Sequence, residues 1–120
     1  MKIADSELEV MRILWREAKP VSFAQIRKEL EQTKGWKKST IQTLVVRLRD
    51  KGVIAAHIDN VTLYTPNISE TDYILVEGQN FIDKLFTGSA VKMVAAMAKS
   101  GQLSKGDIDE LREFFKMEED

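Results

Sequence analysis

Ser39, Gln42, Thr43, Val46 and Arg49 stand three and four residues apart, a spacing that puts them on one face of a helix. The set comprises two hydroxyls, a planar amide, one apolar contact and a cation. Those groups match what base edges present in the DNA major groove. Gln42 can pair bidentately with adenine, Ser39 and Thr43 can donate or accept, and Val46 can meet a thymine methyl. Thr40 completes the candidate base-contact set. Trp36, Lys37, Lys38, Arg47, Arg49 and Lys51 flank this face and are candidates for phosphate contacts. Phosphate contacts position a protein on the duplex, and base contacts specify the sequence.

Charge is distributed in the same sense. The formal net charge is -1, yet residues 34–51 hold six basic side chains against one acid, Asp50. From Ser104 to the end, three basic residues face seven acidic ones. A basic segment beside the candidate reading face is the electrostatic footprint of a nucleic-acid binder, whatever the total.

Other chemistries find little support. The chain has no cysteine, so disulfides, thiolate metal sites and cysteine nucleophiles are excluded. The single histidine, His57, lies between Ala56 and Ile58, and no nucleophile, base and orienting group assemble around it by pattern. The acids Asp107, Asp109 and Glu110 fall in the first turn of an expected helix, where they favour its dipole. No enzyme, metal or cofactor is expected. The start Met1-Lys2-Ile3-Ala4-Asp5 has no apolar leader region, and no apolar run approaches the roughly 18 residues of a membrane span. The sequence therefore reads as cytoplasmic and without membrane association.

The reading face must be carried by a helix, and the pattern supplies one. Ile41, Leu44, Val45 and Leu48 form the opposite, apolar stripe of a helix expected from about Lys38 to Lys51, closed by Gly52. Two helices precede it. The first runs from Asp5 to Ala18 on Leu8, Met11, Leu14 and Trp15, and Lys19-Pro20 stops it. The second starts at Ser22, where Gln25 completes a capping-box pattern and Val21 with Ile26 forms a staple, and it runs to about Thr33 before Gly35. After the third helix the period changes. Residues 54–58 and 61–65 read as a two-stranded hairpin turning at Asp59-Asn60, with Pro66 closing it. Helix, helix, helix and hairpin describe a winged helix-turn-helix, in which the second helix of the pair enters the major groove and the hairpin is the wing.

Everything from Ser69 onward reads as helix. Ile74, Phe81, Ile82, Leu85 and Phe86 line a first stripe, and Met93, Val94 and Met97 a second after Gly88. Ser104 with Asp107 forms another capping-box pattern, and Ile108, Leu111, Phe114 and Phe115 line the last helix. The winged helix needs only residues 1–67, so these side chains are candidates for a dimerisation surface over residues 68–120. The expected fold is mainly α with a small β-hairpin wing, a winged helix-turn-helix domain followed by a C-terminal helical dimerisation region. A two-fold dimer would read a palindromic operator.

The residues just named, taken together, resemble the penicillinase-repressor family of the BlaI, MecI and CopY type. The resemblance lies in Glu7-Leu8-Glu9-Val10-Met11 and Ile13-Leu14-Trp15, then in Trp36, Ser39-Thr40-Ile41, Thr43-Leu44, Arg47-Leu48 and Lys51-Gly52. It continues in Asn80-Phe81-Ile82, Leu103-Ser104, Ile108 and Glu110-Leu111-Arg112. It implies a homodimeric repressor on double-stranded DNA, inactivated by a signal. Two departures limit what it carries. Members of the beta-lactam type are cleaved at an Asn-Phe bond in the dimerisation helices, and that position here holds Ala96-Met97, with Asn80-Phe81 well upstream. A signal-transducing protease is thus a partner that the resemblance offers and this register does not support. Copper-type members carry a cysteine motif that is absent here. The wing tip, Asp59-Asn60-Val61, also lacks lysines, and the wing is expected to add little affinity.

Two other functions remain open from the residues alone. A winged helix can bind a protein instead of DNA, although an interface core depletes lysine and this face is rich in it. A small-molecule pocket near Met93 and Met97 would make the chain a ligand-switched regulator, although such spacing is also that of ordinary core.

Overall fold

The structure is a computed structural model that describes residues 2–119. The chain divides into two compact units, residues 1–73 and 74–120.

The first unit contains α1 (Asp5–Glu17), β1 (Val21–Ser22), α2 (Phe23–Lys34), α3 (Lys38–Asp50), β2 (Ile54–Ile58) and β3 (Thr62–Pro66). Its core is built from the expected helical stripes. Val10, Met11, Ile13 and Leu14 come from α1, Ile26 and Leu30 from α2, and Ile41, Leu44, Val45 and Leu48 from α3. Val21, Val53 and Ile54 close it from the sheet side. These side chains are nearly all fully removed from water, the condition under which apolar area drives folding.

The hairpin is larger than the sequence suggests. Three antiparallel strands lie in the order β1-β3-β2, with Val21 opposite Tyr64 and Ser22 opposite Leu63. By spacing, residues 21 and 22 are staple and cap, and the sheet adds a second role. Val21 is buried, so the two residues before α2 also fasten the sheet to the helices. The second hairpin strand begins at Thr62 rather than Val61 and includes Pro66, opposite Ile54. The proline is tolerated in the central strand because β1 reaches only Leu63 and Tyr64, leaving no ladder bond at position 66 to lose.

Helix ends follow local chemistry. Ser22 Oγ accepts from Gln25 N at 3.2 Å, but the Gln25 amide donates to Glu17 Oε1 at 2.5 Å instead of returning to the cap. Half of that expected box therefore forms. Gly35, at φ 68°, closes α2 in the left-handed conformation that glycine adopts without strain. Helix α1 stops at Ala18, itself left-handed at φ 54°, two residues before Pro20.

The unit boundary falls six residues later than the expected end at Asn67. Trp15 Nε1 donates to the Ile68 carbonyl at 2.9 Å, and the Trp15 and Tyr73 rings lie 5.6 Å apart. Ile68 to Tyr73 are thereby held to α1, and α4 (Glu70–Phe86) starts inside the first unit.

The second unit holds the rest of α4, then α5 (Ala90–Lys99) and α6 (Lys105–Glu119). Its caps are regular. Ser89 Oγ accepts from Lys92 N at 3.1 Å. Ser104 and Asp107 exchange both capping-box bonds at 3.0 Å, as their spacing predicts. Its interior is not regular: no described residue of α4, α5 or α6 is buried. Ile82, Phe86, Met93, Met97, Ile108 and Leu111 are half-buried, while Ile74, Leu75, Phe81, Leu85, Val94, Phe114 and Phe115 are exposed.

Candidate nucleic-acid interface

Helix α3 is placed by its apolar stripe. With Ile41, Leu44, Val45 and Leu48 buried, geometry turns Ser39, Thr40, Gln42, Thr43, Arg47 and Arg49 to the outside, where all are exposed. Val46 lies half-buried on the same face. Gln42 and Val46 sit at its centre, because both line two adjoining depressions. One is shared with Ser39, Thr43 and Arg47, and the other with Phe23, Arg49, Thr62 and Tyr64. The second depression joins the start of α2, the middle of α3 and the wing into one surface.

Not every predicted residue keeps its expected freedom. The Thr43 hydroxyl donates to the Ser39 carbonyl at 2.9 Å, one turn back. Its proton is committed to the backbone, so toward a base it offers lone pairs and a methyl group. Arg49 reaches Asp50 at 3.5 Å in an exposed pair, which screening keeps weak. Lys37, Lys38 and Arg47 have no ion-pair partner among the described residues. Trp36 is half-buried against the core, and most of its ring serves packing.

Lys51 is the clearest departure. Its ammonium donates to Glu7 Oε1 at 2.6 Å and to the Lys2 carbonyl at 2.9 Å. Its side chain stays 38% exposed, but the ammonium is tied to the buried Glu7 carboxylate and not left free like the cations of the reading face. Glu7 is only 1% exposed, and Oε1 also accepts from Ala4 N at 2.8 Å. Burial pushes the Glu7 carboxyl up, but the Lys51 and Ala4 hydrogen bonds and the charges of Lys51 and Arg47 outweigh it, so the net shift is downward. This ion pair is absent from the sequence reading. Glu7 has the look of an ordinary first-turn acid, and its partner lies 44 residues away.

Phe23, Thr62 and Tyr64 also escaped the sequence reading. Nothing in their own spacing marks them, and the sheet brings them beside α3. The wing tip carries no cation: Ile58 is 84% exposed, and Asp59, Asn60 and Val61 are exposed with it. Among the described residues no group of three or more histidine, cysteine, aspartate or glutamate side chains could hold a metal ion. Among the described residues no helix is long and apolar enough to cross a membrane.

A model of the family described as penicillinase repressor matches residues 3–117. The chain belongs to the penicillinase repressor family. It is accordingly a DNA-binding repressor with a winged-helix fold. The penicillinase repressor of Bacillus licheniformis is 39% identical over 111 residues, covering 92% of this chain and 86% of that protein. The methicillin resistance regulatory protein MecI of Staphylococcus aureus (strain N315) is 35% identical over 112 residues, covering 92% and 90%. Among solved structures, the DNA-binding domain of the repressor BlaI is similar at a TM-score of 0.55 and 43% identity, over 61% of this chain and 89% of that one. The monomeric form of Bacillus licheniformis BlaI in complex with the blaP half-operator is similar to the same degree, over 62% of this chain and 90% of that one.

Proposed function

We propose that this repressor binds a palindromic operator as a homodimer, with one α3 in each half-site. The carrying observation is the outward face of α3 in a winged helix whose relative was solved on half of an operator. In this reading Ser39, Thr40, Gln42, Thr43 and Val46 meet base edges, with Gln42 and Val46 central. Lys37, Lys38, Arg47 and Arg49 hold phosphates, which sets the register. Trp36 adds an edge contact at most, and Lys51 is left out.

The second unit supports the dimer. Ile74, Phe81, Leu85, Val94, Phe114 and Phe115 stay exposed in one copy, an arrangement that a monomer in water does not favour. Covering them with the same surface of a second copy also makes a core for Ile82, Phe86, Met93, Met97, Ile108 and Leu111. A two-fold pair presents two reading helices to two half-sites.

Selection of bound sequences from a random duplex library at about 150 mM salt tests this, because salt suppresses weak phosphate-driven binding. The expected product is a palindrome with half-sites about one helical turn, or a multiple, apart. Enrichment of single half-sites without symmetry would refute the dimeric part. No enrichment would refute groove reading by α3.

A further inference from the structure

The last two turns of α3 and its cap carry three cations, Arg47, Arg49 and Lys51. The first two are exposed on or beside the reading face, and the third is held by a carboxylate that the DNA contacts do not use. Glu7 Oε1 receives both the Lys51 ammonium and the Ala4 N–H, at 2.6 and 2.8 Å. Glu7 Oε2 is buried and has no hydrogen-bond partner among the described residues. A buried carboxylate with one unsatisfied oxygen is a poor choice for stability alone, because two well-packed apolar side chains often do as well or better. The pair must be kept together, however, since removing one partner leaves a buried charge uncompensated.

We infer that Glu7 is a positioning residue that withholds the Lys51 ammonium from DNA and ties the end of α3 to the start of α1. Lys51 lies one turn beyond Arg47, on a flexible four-carbon stem, and can swing outward if its counter-charge is removed. A free lysine there would add a phosphate contact that is blind to sequence. Holding it inward lowers affinity for random DNA and leaves discrimination to Gln42 and its neighbours. At the same time Glu7 caps the first turn of α1, so a single side chain fixes two helix ends.

This inference rests on DNA binding through α3, and its test separates the two. Affinity of the full-length protein for a random-sequence duplex is measured as salt is raised, for the unmodified protein, Glu7→Gln and Glu7→Gln/Lys51→Met. Each phosphate neutralised contributes about 0.9 to the slope of log affinity against log salt. Glu7→Gln, which releases the cation, is expected to steepen the slope by about 0.9 and to reduce the ratio of operator to random affinity. The double variant replaces the pair with neutral groups of similar length and is expected to keep the unmodified slope. A slope in the double variant shallower by about 0.9 would mean that Lys51 already holds a phosphate, and the inference falls. An unchanged slope and ratio in Glu7→Gln would mean that the carboxylate is merely structural, and it falls again. Should Glu7→Gln fail to fold, Glu7→Asp, whose carboxylate stops one methylene short of the ammonium, takes its place with the same expected and overturning slopes. A flat salt response in the unmodified protein strikes instead at DNA binding itself.

Discussion

Replacing Phe114 with alanine is expected to break the dimer while leaving the winged helix folded. Phe114 is 54% exposed in one copy, which for a phenylalanine of about 200 Å² leaves ~110 Å² for a partner to cover. At about 25 cal/mol per Å² that area is worth ~2.7 kcal/mol in each protomer, and two-fold symmetry counts it twice. The Cβ that alanine keeps trims the total to about 4 kcal/mol, which corresponds to a roughly thousandfold weaker dimer. Sedimentation equilibrium over a range of concentrations gives the dimer constant. Circular dichroism checks that the first unit stays folded, as its separate core requires. A dimer constant within about tenfold of the unmodified value would refute the reasoning, because ~1.4 kcal/mol cannot account for a covered phenyl ring in both copies.

Other expectations bear on separate parts of the molecule. Gln42→Ala should cost about 1–3 kcal/mol on the selected operator and almost nothing on random duplex, measured by competition binding; equal losses on both would show that Gln42 reads no base. Ser104→Ala removes an acceptor from the Asp107 N–H and should lower stability by about 0.5–2 kcal/mol in urea unfolding followed by helical signal. The downward shift of the Glu7 carboxyl means that its contribution is fully present above the ordinary carboxylate pKa and is lost as pH falls through the lower folded value. Urea unfolding below about pH 4.5 should therefore show a steeper acid loss in the unmodified protein than in Glu7→Gln/Lys51→Met; parallel curves would remove Glu7 from the acid response.

What the sequence made legible was local. The stripe Ile41, Leu44, Val45 and Leu48 fixes which side of α3 faces the core, so the outward placement of Gln42 and Arg47 follows from a period of 3.6 residues. The Ser104 and Asp107 box was legible for the same reason, as both partners lie within one turn. What was hidden depends on residues far apart in the chain. A two-residue strand at Val21–Ser22 has no period to detect, and only its pairing with Leu63 and Tyr64 reveals it. Lys51 reads as one more cation until the fold brings Glu7 to it. The unit boundary shifts past Ile68 because of an indole hydrogen bond spanning 53 residues, which no local pattern announces.

The lack of any buried residue in α4, α5 and α6 bears on how the protein responds to its own abundance. If that half finds its interior only in the proposed dimer, its stability depends on protomer concentration. Below the dimer constant, active repressor then grows as the square of total protein, so halving synthesis removes about three-quarters of it. In that case a modest change in the protein's own level becomes a steep change in operator occupancy, and dilution alone would lower repression.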